Sequence, residues 1–181
     1  MNYRKWVFIA ILIFGIGLVF GLATPTSVIN PLFEDATLQD LGDTLVPFNF
    51  LTVIPILVNN VTTLLVSFAL SPIFCLMPIL ALTFNGWFLT VVSAIVVQEK
   101  SLGFVLAGLL PHGVFELPAF ILGEAAALSF GAMVILAIFK KEKRNLLLPG
   151  LKQNLRYLMV ALALLVPAAI IEIYITPLLL T

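Results

Sequence analysis

Apolar residues run almost unbroken through five stretches of the chain, 6–23, 48–70, 72–97, 102–139 and 155–174, and the charged and turn-forming residues gather between them. Neither a two-residue nor a 3.6-residue alternation dominates. A helix facing lipid or other helices is apolar on most sides, so the length of a run is the usable signal. Four of the stretches are close to the roughly 20 residues that carry a helix across a bilayer, and each predicts a transmembrane span.

The stretch 102–139 is too long for a single crossing and is interrupted by Pro111, Gly113 and Pro118. Its first nine residues would make a helix of about 14 Å, less than half of a hydrocarbon core about 30 Å thick. The pattern therefore predicts a re-entrant half-helix over 102–110, a turn at Pro111 and Gly113, and a full crossing to Phe139. The predicted architecture is all-α: a polytopic transmembrane bundle of about five spans plus the half-helix, forming a single transmembrane domain over residues 1–181. The first apolar run exceeds the roughly 7–15 residues of a signal-peptide core, so it is expected to remain as an uncleaved span.

Charge placement orients the bundle. In the five-span arrangement Arg4, Lys5, Lys140, Lys141, Lys143, Arg144, Lys152 and Arg156 fall on one side and Lys100 alone on the other. Positive charge marks the cytoplasmic side, which puts the N-terminus inside and the C-terminus outside a cell membrane. The loop 24–47 carries Glu34, Asp35, Asp40 and Asp43 with no Lys or Arg, as an outer loop would. Two crossings within 102–139 would set the basic cluster around Lys140 opposite Arg4 and Lys5 and erase the bias. The basic segment 140–156, with Pro149 and Gly150 inside it, would sit among anionic headgroups of the inner leaflet. Its role as a topology determinant accounts for it, with lipid or protein docking as the alternative.

Composition removes whole classes of function. Of 181 residues 62% are apolar and 10% charged, with a mean hydropathy of +1.20, against about 25% charged in soluble domains. The formal net charge is zero and gives no support to nucleic-acid binding. Cys75, the one cysteine, has no intrachain partner and reads as a small core residue. Asn60-Val61-Thr62 matches a glycosylation acceptor but lies within an apolar run, beyond the modifying enzyme's reach.

The ionisable residues inside the spans are the main chemical clue, because a charge in hydrocarbon is expensive and marks a functional site by default. They are His112, Glu116 and Glu124 on the interrupted stretch and Glu172 on the last span, joined by the uncharged Asn59, Asn60 and Asn85. Counted from the inner ends, Glu172 and Glu124 lie about 24 Å deep and Glu116 about 36 Å deep. All of these groups fall between mid-membrane and the outer face, where one outward-opening polar cavity would satisfy them together. Pro118, which lacks an N–H and crowds the carbonyl of Val114, favours a helix that starts near Glu116.

One histidine and two carboxylates, with His112 and Glu116 at i, i+4, make His112, Glu116 and Glu172 candidate ligands for zinc or another divalent cation. In the competing reading protonated Glu and Asn side chains hydrogen-bond between helices as packing glue. Asn59 and Glu172, four and five residues after Pro55 and Pro167, are also placed to bond carbonyls released at a proline. Small residues at Gly123, Ala125, Ala126, Ala127 and Gly131 mark a close helix–helix face, either internal or the seam of a homodimer.

The segments Leu110-Pro111-His112-Gly113-Val114-Phe115-Glu116-Leu117-Pro118-Ala119, Asn59-Asn60, Asn85-Gly86 and Ile171-Glu172-Ile173-Tyr174-Ile175-Thr176-Pro177 resemble the signatures of the stage II sporulation protein M family, from about Thr52 to Pro177. PHG-x-x-ELPA is the most specific part, and it carries His112, Glu116 and Pro118, with Glu172 from the last segment, as family-typical positions. The resemblance implies a multi-pass membrane protein. In spore formers the family member is a membrane partner that anchors or recruits peptidoglycan-degrading proteins during engulfment, and relatives occur in organisms that make no spores. The leading expectation is thus a scaffold or recruitment protein whose basic inner and acidic outer loops contact cell-envelope proteins, with the cavity as a divalent-metal site. An intramembrane zinc-dependent hydrolase using His112, Glu116 and Glu172 is the alternative, and no residue is assigned as catalytic. Cation or proton transport comes third, since no ionisable residue extends the path through the inner half.

Overall fold

The computed structural model describes residues 3–25 and 50–180, and every regular element among them is helical. Helix α1 spans Tyr3–Ala23, α2 Phe50–Leu70, α3 Leu76–Glu99, α4 Leu102–Phe139, α5 Leu147–Tyr174 and α6 Thr176–Leu179, with a 3₁₀ helix at Lys141–Leu146. The first five α-helices are long and apolar enough to cross a membrane, which makes the chain a multi-pass membrane protein. The acidic residues Glu34, Asp35, Asp40 and Asp43, expected in an outer loop, lie outside the described residues.

Two boundaries differ from the predicted ones for a physical reason. The final span was expected from residue 155, yet α5 begins at Leu147. Residues 147–156 carry Lys152 and Arg156, and a run read by apolarity stops where charge begins although the backbone stays helical. Helix α3 starts at Leu76 rather than at residue 72, after a tight turn in which Phe74 and Cys75 take φ of 52° and 56°. Left-handed backbone of this kind costs about 1–2 kcal/mol per residue. The Cys75 amide bonds the Ser71 carbonyl and its thiol faces the Leu128 carbonyl, so the buried cysteine closes this turn against α4.

The expected re-entrant half-helix requires a correction. Residues 102–110 are helical, but α4 continues through Pro111, Gly113 and Pro118 to Phe139 without a turn. A proline removes one backbone bond and kinks a helix, and within a membrane protein the freed carbonyls are tolerated where neighbouring helices or a polar cavity cover them. At 38 residues the helix is about 57 Å long if straight, well over the thickness of the hydrocarbon core.

Helix α4 is the most buried of the spans. Its Ala119, Ala126 and Ala127 meet Leu64 and Phe68 of α2 and Leu158, Ala161 and Leu165 of α5, while Ala125 and Leu128 meet Ala10 of α1 and Leu82 of α3. The small-residue stripe is therefore used inside the bundle: a Cβ at Gly123 would meet the Leu64 side chain, and one at Gly131 the Ser71 carbonyl. Removing side-chain bulk along α4 lets four neighbours approach it closely, the usual route to tight packing where lipid supplies no hydrophobic drive.

Contacts of the first residues of α1 bear on the end expected to be basic, which by span parity holds every Lys and Arg except Lys100. The ring of Tyr3 stacks on that of Tyr157 at 3.5 Å between centroids, and its hydroxyl donates to the Leu122 carbonyl at 2.6 Å. Arg4 and Lys5 thus follow a residue stacked on Tyr157, the neighbour of Arg156. At the opposite end the Trp87 indole N–H donates to Thr24 at 2.9 Å. Tyr3→Phe should lower stability by about 1 kcal/mol, the usual net worth of one hydrogen bond. Thermal unfolding in detergent reads this out, and an unchanged midpoint would discount the Tyr3 bond as a tie between α1 and α4.

Candidate metal centre and polar cavity

His112 and Glu116 are one helical turn apart on α4, and because α4 is continuous here both side chains leave the same face. Glu172 approaches from the C-terminal part of α5. One ligand atom from each of the three lies within 4.8 Å of the other two. The His112 Nε2 stands 3.7 Å from the Glu116 Oε2. Two carboxylates held this close repel one another when both are charged, and a cation between them and the imidazole relieves that repulsion.

Outer contacts aim these atoms. The chain turns after α5 and restarts at Thr176-Pro177, with Pro177 in the first turn of α6 where its missing N–H does no harm. This turn delivers the buried Thr176 hydroxyl to within 3.4 Å of His112 Nδ1, and the same hydroxyl donates to the Ile171 carbonyl at 3.3 Å. With its proton given to Ile171, the Thr176 oxygen accepts from Nδ1–H, which assigns the tautomer that leaves the Nε2 lone pair available. Asn60 Nδ2 donates to Glu116 Oε1 at 2.9 Å, so Oε2 remains on the side of His112. Partners of this kind orient and polarise the ligands of metal sites. One imidazole and two carboxylates fit a three-ligand site for zinc or a similar divalent ion, with further positions open to water or substrate.

Those positions adjoin a cavity of about 500 Å³ between α2, α3 and α4, lined by Asn59, Asn60, Asn85, His112 and Glu116 among apolar side chains. Asn85 donates its amide to the Ala81 carbonyl at 2.8 Å. Phe104, Gly108 and Leu109, from the segment expected to be re-entrant, form part of the wall.

Not every residue expected in the cavity lines it. Glu172 completes the three-residue cluster from the α5 side without lining the cavity. Glu124 lies elsewhere: it is fully buried, its Oε2 accepts from the Ser67 hydroxyl, and its Oε1 has no partner among the described residues. Eight residues along α4 carry it about 12 Å beyond Glu116, into the packed layer below the cavity. Thr176 and Ser67, ordinary hydroxyls by residue type, join these groups through tertiary contacts. The signal for Thr176 was the Thr-Pro pair directly after the last span, which marks a helix restart.

Helical spans around an intramembrane cluster of His, Glu and Asn define the class: a multi-pass membrane protein with a buried polar centre. The model of the family "Stage II sporulation protein M" matches residues 8–177, extending the likeness seen in the motifs back into α1. A similar protein is the uncharacterized protein MJ0793 of Methanocaldococcus jannaschii, 30% identical over 174 residues that cover 94% of this chain and 93% of that protein. No solved structure matches. The chain belongs to the stage II sporulation protein M family.

Proposed function

We propose that this protein is a scaffold of the cell membrane that holds partner proteins of the cell envelope, and that His112, Glu116 and Glu172 bind a divalent cation, zinc being the best fit, that locks the bundle. The carrying observation is the convergence of three ligand atoms from two helices within 4.8 Å, with the other faces of His112 and Glu116 already engaged by Thr176 and Asn60. A cation there ties the end of α5 to α4 and steadies the surface from which the loops reach partners. Family membership supports the scaffold role, which is the known one in spore formers.

Elemental analysis of the protein purified in mild detergent should return one equivalent of a divalent metal. Zinc at about 100 times its dissociation constant should stabilise metal-free protein by about 2.7 kcal/mol, visible as a rise in Tm. Folded protein that takes up no metal and shows no rise would remove the cation from this reading. Affinity isolation from membranes should recover a reproducible companion, and its consistent absence would remove the scaffold.

The open coordination positions beside a 500 Å³ cavity favour a second reading, an intramembrane zinc-dependent hydrolase. In it the cation supplies Lewis acidity and the cavity holds an acyl or peptide substrate. Zinc-dependent cleavage of such substrates in liposomes, abolished by Glu116→Gln, separates the two.

A further inference from the structure

The basic end of the bundle contains a second pocket that shares no residue with the first. It occupies about 310 Å³ between α4, the 3₁₀ helix and the start of α5, with Tyr3 at its edge. Its polar walls are Ser129 and Asn154, 3% and 4% exposed. Neither side chain has a hydrogen-bond partner among the described residues, and neither has its polar atoms sealed from the pocket. A buried amide and hydroxyl without protein partners call for a partner from elsewhere, and here both open into the same void. Lys143 lines it at the exposed end, alongside the first turn of α5, a 28-residue helix with no side-chain cap. The 3₁₀ helix runs directly into α5, with the Leu147 amide bonded to the Arg144 carbonyl, so Lys143 is the positive group at the mouth.

The order of charged, polar and apolar groups along the pocket points to its occupant. Lys143 stands at the exposed mouth, and Ser129 is ten residues from the end of α4, about 15 Å further along that helix. The pocket thus runs from an exposed lysine inward to two buried polar groups, and Met133, Leu136 and Leu146 wall its sides. Gly150 keeps this part of α5 close to α4, since a Cβ there would strike the Met133 thioether. The cation at the mouth suits a phosphate. Neutral donors below suit ester carbonyls, and the apolar walls suit the upper acyl chain.

We propose that this inner-end pocket binds one anionic phospholipid, its phosphate at Lys143 and its ester carbonyls accepting from Asn154 and Ser129. The lipid would fill the gap between α4 and α5 at their inner ends and set the protein's preference for an anionic leaflet.

Native mass spectrometry of full-length protein exchanged into mixed micelles tests this with phosphatidylglycerol, phosphatidylcholine and inorganic phosphate as probes. Wild type should retain one phosphatidylglycerol in preference to phosphatidylcholine. Lys143→Gln, at an exposed position, should weaken that retention about fivefold, in keeping with about 1 kcal/mol per interfacial basic residue. Asn154→Leu, close in volume, should weaken both lipids by about tenfold, the equivalent of 1.4 kcal/mol. Ser129→Ala supplies a milder check if the Asn154 variant is poorly folded. Equal retention of the two lipids by wild type, or retention unaltered in Lys143→Gln and Ser129→Ala, would overturn the proposal. Displacement of the lipid by millimolar inorganic phosphate would overturn the lipid assignment, because a phosphate cannot replace the ester and acyl contacts.

Discussion

His112→Ala is expected to weaken divalent-cation binding by more than the roughly 10–100-fold that loss of an outer partner costs a metal site. It removes the one nitrogen ligand and leaves two carboxylates facing each other. Glu172→Gln should act similarly at nearly constant volume. Asn60→Leu and Thr176→Val touch no proposed ligand atom, and they should fall within the 10–100-fold range by freeing Glu116 and the His112 ring to turn. Competition with a chromophoric chelator measures all four. The ranking is the test: if His112→Ala binds as tightly as Asn60→Leu, the imidazole is not a ligand, and the 3.4 Å approach of Thr176 has only a packing role.

Gly86→Val should separate α1 from α3 and destabilise the bundle by about 1–3 kcal/mol or more, the range for overpacking. A Cβ at Gly86 would fall on the Phe14 carbonyl and the backbone of Leu18, and one at Gly17 on the Thr83 carbonyl. The obstacle is backbone in each case, so no side-chain rotation relieves it. Gly17→Val should therefore behave in the same way. Gly15 is the internal control: nothing lies within 4 Å of a Cβ built there, and Gly15→Val should stay within about 0.5 kcal/mol of wild type. Thermal unfolding in detergent distinguishes a glycine required by the seam from one on the lipid-facing side. Equal behaviour of the three variants would mean that α1 and α3 do not cross at these residues.

Much of the membrane frame was legible because it depends on local quantities. Run length marks a span, and Arg4, Lys5 and the cluster around Lys140 share a side through parity alone. The starts of α3 and α5 were less legible. A turn with two left-handed residues at Phe74 and Cys75 has no glycine to announce it, and Lys152 and Arg156 hide a helical backbone from any reading by apolarity. The prolines misled in the other direction, since Pro111 suggested a break where the neighbours of α4 allow the helix to continue.

The polar cluster was legible by type and less so by position. Asn59, Asn60, Asn85, His112 and Glu116 stood out because such groups are rare in hydrocarbon, and they do share a cavity. Glu124 stood out equally and lies elsewhere. Small hydroxyls gave no warning at all: Thr63, Thr83, Thr90 and Ser93 each bond a carbonyl four residues back in their own helix, so nothing in the residue type separates them from Ser67 and Thr176, which reach side chains on other helices.

Transfer from water to lipid is a sum over neighbouring residues, and for that reason the amino-acid order by itself determined a multi-pass membrane protein with all its basic residues but Lys100 assigned to one side and a family motif around His112. Which polar groups meet depends on the rotation and crossing of helices far apart in the chain. Glu116 finds Asn60 across 56 positions and His112 finds Thr176 across 64. Only the tertiary structure decided that Glu172 joins them, that Glu124 does not, that the small-residue stripe is spent within the bundle, and that Ser129 and Asn154 open into one pocket.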